Sequence, residues 1–382
     1  MRIVPLPPGL LHAGRPVPCT VRDARGAVLL RRAAPWPAEG LRGLPQACGL
    51  WVEADEAERL RAPAANECAA FDQRAGLRDA DASYWPALQA RADRLLRAPR
   101  TPGFLDELEA LRHELSERLR RQPDKTLFAL VHLASTSVEQ YSATHALLCA
   151  ASAMLIARQL PGWSEAQQRS LTLAALTMNV WMTALQDELA QQSEAPTPAQ
   201  RAVVEGHSRG AAKLLAEIGV TDPAWLEAVA HHHDATAGPL GQRSTGLQLA
   251  RVLQRVDLFT ARLSPRRSRR AMSAAAAAQA AYLAEDGQPD EAGMLLIRAL
   301  GLYPPGCRVR LASGELGIVL RRGARANTPA VAAVADAAGR PLATPALRQA
   351  AVQPDHAVKA ALAPHDAALQ LPFDRLLALV AA

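Results

Sequence analysis

Between residues 124 and 300, apolar residues recur at helical spacing almost without a break, and this run limits the fold more than any other feature. The spacing predicts helices over 124–134, 138–159, 165–185, 198–218, 222–233, 246–263, 268–285 and 290–300. Thr197-Pro198 and Thr221-Asp222-Pro223 read as N-caps followed by proline in the first turn. Gly219 falls where a helix should end. The alanine-rich run AMSAAAAAQAA (271–281) is strongly helix-forming and fits an outer helix. Aromatic residues make up only 4% of the 382-residue chain, so Leu, Ala and Val must fill the core. That supply suits helices.

The flanking segments read differently. Residues 1–75 are expected to form a small β-rich unit. In it CTVRD (19–23), a turn at Ala24-Arg25-Gly26 and AVLLRR (27–32) make a hairpin, and GLWVEAD (49–55) adds a strand. Residues 76–123 read as a helical linker, with Leu108, Leu111, Leu115 and Leu119 on one stripe. The stripe either packs internally or pairs two subunits in a homodimer. After the 124–302 helical domain, at Tyr303-Pro304-Pro305-Gly306, the period changes from helical to alternating. A small β-barrel is expected over 303–350, with turns at Ser313-Gly314 and Gly339. Residues 351–382 form a tail that closes in the short amphipathic helix FDRLLALVAA.

Composition narrows the function classes. A net charge of +6 is too weak to imply a nucleic-acid partner. Of the 43 basic residues only Lys125, Lys213 and Lys359 are lysines, a bias that reflects base composition rather than a polyanion site. No run of 18 apolar residues is available to span a membrane. Prolines break what would be the apolar core of a signal peptide in MRIVPLPPGLLHAGRP. The five cysteines are scattered without CxxC spacing and fit free thiols in a reducing cytoplasm.

Six of the ten histidines lie between positions 132 and 233: His132, His145, His207, His231, His232 and His233. His145 and His207 sit on two separate predicted helices, and HHHD ends a third. Asp257 lies on a fourth, within the apolar stretch LARVLQRVDLFTARL, and a buried acid requires a partner. Imidazoles and a carboxylate arriving from several helices are how helical folds build metal sites. Taken singly, each has a plainer reading as a core residue or an exposed helix end. Cys149 stands one turn after His145 but reads as a core residue. Arg266, Arg267, Arg269 and Arg270 form either a phosphate-facing cluster or a solvated loop. There is no Walker-type glycine loop and no nucleophile elbow.

Over about residues 135–305 and into the β segment beyond, the chain resembles the HD-domain phosphohydrolases, and within them the HD-GYP branch that hydrolyses cyclic di-GMP. SATHALLCAASAMLIARQL is similar to the family's first metal-ligand helix, with His145 in the ligand position. LTLAALTMNVWM resembles the helix that normally ends in the His-Asp pair. TPAQRAVVEGHSRGAAKLLAEIG matches at His207, AVAHHHDATAGPLG at His232 and His233 with Asp234 behind them, and VDLFTARLSPRRSRRAM at Asp257. GLYPPGCRVRLASGELGIVL resembles the tail that follows the catalytic domain. The resemblance implies a mainly α fold: an HD-type helical bundle with a small β-rich unit before it and a small β-barrel after it.

The departures are specific. Met178 and Asn179 replace the His-Asp pair, Met182 stands at the family's Lys, Trp181 at a glycine, and Ala237-Gly238-Pro239 at the GYP segment. In the family the aspartate bridges two metal ions. An amide oxygen lacks the anionic charge for that, and a thioether is too soft for oxygen-type metal chemistry. The resemblance therefore implies a metal set of His145, His207, His232, His233 and Asp257, reduced to one Fe, Mn or Zn ion at most. It implies no intact catalytic pair, with Arg266 and Arg270 as phosphate-binding candidates. Three functions follow. One is a degenerate signalling protein that binds cyclic di-GMP or a protein partner with little or no turnover. The second is a metal-dependent phosphodiesterase with a reduced site, and the third a structural adaptor with relic histidines.

Overall fold

A computed structural model describes residues 3–5, 17, 19–31, 34, 50–55, 75–160, 162–234, 236, 238–349, 352–366 and 373–381. The chain divides into two compact units, Met1–Leu77 and Arg78–Ala382. In the first, β1 (Ile3–Pro5), β2 (Val21–Arg22), β3 (Val28–Leu30) and β4 (Trp51–Glu53) form an antiparallel sheet of order β1-β4-β2-β3. Buried Cys19, Val21 and Val52 make its core. The β2–β3 turn is set by Asp23, whose Oδ1 accepts from the backbone N–H of Arg25 and of Ala27, each at 2.9 Å. Gly26 takes the left-handed φ of 86° that this turn requires. Cys48 and Cys68 lie outside the described residues.

The second unit is a helical bundle followed by a sheet. Its helices are α1 (Ala75–Arg97), α2 (Phe104–Arg121), α3 (Pro123–Thr136), α4 (Tyr141–Ala157), α5 (Glu165–Thr177), α6 (Thr183–Gln191), α7 (Pro198–Glu217), α8 (Pro223–His231), α9 (Thr245–Leu263), α10 (Ala274–Tyr282), α11 (Glu291–Leu300) and α12 (Phe373–Ala381). No described helix is long and apolar enough to cross a membrane. Helix α4 is buried on every face, as its unbroken apolar sequence dictates. It packs against α3, α5, α9 and α11, and so forms the bundle's axis. The α2 stripe of Leu108, Leu111, Leu115 and Leu119 is fully buried inside this core. It therefore packs internally and is not available to pair subunits. Truncating one of these leucines to Ala should cost about 2–5 kcal/mol.

Two expected helices are shorter than the periodicity suggests, and both differences shape the site. The 165–185 segment breaks at Thr177, and residues 178–182 turn before α6 begins. Thr177 Oγ1 is engaged by Leu173 O (2.7 Å) and by the Trp225 indole N–H (2.9 Å), and Met182 N–H closes a turn onto Asn179 O at 2.9 Å. Thr177 and the Asn179-Val180-Trp181 run after Met178 are weak helix formers, so the turn wins. The 268–285 segment becomes helical only at Ala274, where Ser273 Oγ caps Ala276 N–H. The arginine run before it folds as a tight turn bridged from Arg266 to Arg269.

Helix α9, which carries Asp257, is anchored by fully buried Arg251. Its guanidinium donates to Asp290 Oδ2 (2.6 Å) and Glu285 Oε2 (3.0 Å), while Arg255 donates to Glu285 Oε1. Removing one partner of such a buried pair costs about 3–5 kcal/mol. After α11, β5 (Arg308–Leu311), β6 (Leu316–Arg321), β7 (Ala330–Ala335), β8 (Pro341–Gln349) and β9 (Val358–Leu362) form an antiparallel sheet of order β8-β7-β6-β5-β9. The sheet does not stop at residue 350. Its fifth strand, β9, comes from the segment expected to be tail and pairs with β5. The α12 helix packs on α3 and β6.

Candidate metal centre

Helices α7 and α8 begin on well-made caps. Thr197 Oγ1 accepts from Gln200 N–H (3.2 Å) in a reciprocal capping box, and Asp222 Oδ1 accepts from the N–H groups of Ala224 (3.0 Å) and Trp225 (3.2 Å). Pro198 and Pro223 occupy the first turns. These fixed starts carry His207 into the core along α7 and place His232 and His233 just past the end of α8. His207 and His232 are buried, and His233 is exposed.

The ring nitrogens define the chemistry. His207 Nδ1 lies 2.5 Å from Val204 O and His232 Nδ1 lies 2.7 Å from Val229 O. A carbonyl only accepts, so both Nδ1 atoms carry the proton and both Nε2 atoms present lone pairs. Those Nε2 atoms stand 3.2 Å apart, and His233 Nε2 is 3.3 Å from His207 Nε2. Facing lone pairs at that distance repel unless a cation or a shared proton lies among them. For metal–nitrogen bonds of about 2.0–2.1 Å at the tetrahedral angle, two ligand nitrogens stand about 3.3–3.4 Å apart, so the spacing fits one small divalent ion. Backbone carbonyls on the far nitrogens are the usual orienting partners of metal-bound imidazole. Protons fit poorly: burial and then the His233 ring push His232 down to about 3, and burial leads the same downward shift at His207.

A second cluster adjoins the first. His145 Nε2 on α4 is 2.8 Å from Asp257 Oδ1 on α9 and 3.6 Å from Cys149 Sγ one turn along α4. The three donor atoms lie within 4.8 Å of one another, as do those of His207, His232 and His233. Burial works against charge at both His145 and Asp257. Cys149 and Asp257 nevertheless hold the imidazole well above its ordinary value, and the His145 hydrogen bond and charge carry the carboxyl well below its own. Asp257 is also coupled electrostatically to the His232 and His233 rings, which links the two clusters. His145 Nδ1 is buried and has no hydrogen-bond partner among the described residues. Tyr141 stacks on the His145 ring at 5.8 Å between centroids, and its hydroxyl accepts from Arg266 Nη2 at 3.0 Å.

The structure thus brings His145, His207, His232, His233 and Asp257 into two neighbouring clusters and ties Arg266 to one of them through Tyr141. Other candidates stand apart. Arg270 is exposed and makes no hydrogen bond or ion pair among the described residues. Asp234 lies 3.7 Å from both His231 Nδ1 and Arg209 Nη2 rather than joining the imidazoles. Met178 is buried and, with Asn179, lines a small void beside Ser142 and Ala146 of α4. Trp181 lies over Gly210 of α7, where an added Cβ would come within 2.8 Å of the indole. Of the GYP-like segment, Ala237 lies outside the described residues. Cys149 and Tyr141 are the residues that sequence reasoning passed over. The signal for Cys149 was its i, i+4 spacing from His145 on an apolar helix.

Fold and site together define a mainly helical domain with candidate metal-binding groups. No family model matches the chain. Over 218 residues it is 28% identical to a curated protein of Pseudomonas aeruginosa named "Cyclic di-GMP phosphodiesterase PA4108". The match takes in 56% of this chain and 51% of the relative, so the chain spans about half the length of the curated protein it matches. That name agrees with the branch the motifs resemble, and the resemblance to the HD-GYP phosphohydrolases stands. A solved structure titled "Bd1817, a HDG"Y"P protein from Bdellovibrio bacteriovorus" aligns over 77% of this chain and 98% of its own, at 14% identity and a TM-score of 0.43.

Proposed function

We propose that this protein is a cytoplasmic bacterial signalling protein that holds a divalent metal ion at His207, His232 and His233 and binds cyclic di-GMP with little or no hydrolysis. The observation that carries this reading is an imbalance within the site. Three imidazoles converge, His207 and His232 with their Nε2 lone pairs turned inward, while the two positions of the His-Asp pair hold Met178 and Asn179. The ligand identity is supported by the relative named for cyclic di-GMP.

A bound divalent ion supplies Lewis-acid polarisation of a phosphate oxygen. The chain's own residues fix what can be done beside it. Val204 and Val229 carbonyls lock the tautomers of His207 and His232. Asp257 holds a negative charge against His145. Arg266, steadied by the Tyr141 hydroxyl, offers a guanidinium for a phosphate. Asn179 provides no anion to unite two cations, and Met182 has no charge for the phosphate. Losing such preorganised charge removes about 10²–10³-fold of rate per group. Output then passes through protein contacts of the liganded domain.

The competing reading, a reduced-site phosphodiesterase, is favoured by the same three imidazoles, since a three-His site with an open position is catalytic elsewhere. Calorimetric titration of the Mn-loaded protein with cyclic di-GMP, followed by product analysis of the same samples, separates the two. The expected result is saturable binding with product at background. Product formation that disappears in His232→Ala, or no binding at all, overturns the proposal.

A further inference from the structure

The family-like donor set leaves His145 and Asp257 as half a site. The structure adds a third donor that no motif assigns. Cys149 Sγ, fully buried on α4, faces the same Nε2 that meets Asp257. For metal–sulfur and metal–nitrogen bonds of about 2.3 and about 2.0 Å at the tetrahedral angle, the two donors stand about 3.5 Å apart. The observed separation is 3.6 Å. Imidazole, thiolate and carboxylate would together carry two negative charges, as much as a divalent cation requires. Asp257 is part-exposed and gives the cation a way in, whereas His145 and Cys149 are sealed behind it. His145 Nδ1 has no partner among the described residues, so the ring is oriented from its Nε2 side, by Asp257 and Cys149, and by the Tyr141 stack.

We propose that His145, Cys149 and Asp257 form a second, sulfur-containing metal site that takes a thiophilic divalent cation such as Zn or Co. Cys149 there supplies an anionic charge that neither Met178 nor Asn179 provides. On loading, the Cys149 thiol releases its proton to solvent and the sulfur forms the metal bond; no oxidant or reductant is involved. The site goes beyond the three-imidazole reading and does not depend on cyclic di-GMP.

Cobalt substitution tests it. The full chain is stripped with chelator, reloaded with Co(II), and followed by absorption and metal analysis. The expected spectrum contains a near-ultraviolet sulfur-to-cobalt charge-transfer band, which a nitrogen-only site lacks. Cys149→Ser should lose that band and one equivalent of cobalt, yet keep the visible bands of the imidazole site. His232→Ala should lose cobalt from the imidazole site and keep the charge-transfer band. Cys149→Val, which preserves an apolar filling of the α4 position, guards against a folding defect in the serine variant and should give the same spectrum. Absence of the band at saturating cobalt, or its persistence in both Cys149 variants, overturns the proposal. An empty imidazole site with the band intact would instead count against the proposed function alone.

Discussion

The imidazole cluster and the turn at residues 178–182 lie in one bundle and have fared differently. In the cluster, each buried His is held from behind by a backbone carbonyl three residues earlier, and the helices that deliver it start on full caps. In the turn, the hydrogen bonds are all local and the side chains are an amide, two thioethers, a buried valine and an exposed indole. On the proposed reading, holding a cation and hydrolysing a phosphodiester are separable properties of this fold. Binding needs converging lone pairs, whereas turnover also needs a shared anion and a cation for the phosphate.

The comparison can be broken most directly at the cluster. His232→Ala should weaken metal affinity by at least about 100-fold, more than the loss of an orienting partner gives, as read by metal analysis and competition with a chelator. Equal metal content in that variant would end the distinction. Rebuilding the other region sharpens it: Met178→His with Asn179→Asp should raise metal-dependent cyclic di-GMP hydrolysis by at least about 10-fold over the parent, measured by product chromatography. A smaller effect is expected where the two regions meet the ligand. Arg266→Ala should weaken cyclic di-GMP binding by about 10-fold in calorimetry, the scale of one charged hydrogen bond, while Arg270→Ala changes it little.

A histidine in neither region calibrates the acid response. His132 sits between Phe128 and Phe373, and burial, then the Arg308 charge, lower it from 6.5 to about 4. The unfolded chain takes up this proton as pH falls through 6.5 and the folded chain does not, so stability drops between about pH 6.5 and 4. Denaturant melts should show a loss of about 2–3 kcal/mol over that window that is absent in His132→Leu.

Much of this was legible in the sequence because helices advertise themselves by period. Seven of the eight segments expected between 124 and 300 correspond to single helices, each within a few residues apart from the late start of α10. The order His145, His207, His232-His233, Asp257 names the residues that converge. What escaped had physical reasons. The break after Thr177 depends on a tertiary hydrogen bond from Trp225, 48 residues away, which no local pattern contains. Strand β9 alternates too briefly to stand out and exists because β5 offers it an edge. Cys149 read as core because a Cys in an apolar helix usually is; its second partner, Asp257, comes from another helix. Arg270 looked equivalent to Arg266, but only Arg266 finds the Tyr141 hydroxyl.

The most direct measurement is a side-by-side turnover assay of cyclic di-GMP by the parent and His232→Ala proteins, both with metal occupancy determined beforehand. The account predicts a parent that is metal-loaded, binds the dinucleotide and leaves it uncleaved at a level matching His232→Ala. Robust hydrolysis by the parent alone would contradict it and would mean that three imidazoles and Asp257 suffice without the missing carboxylate.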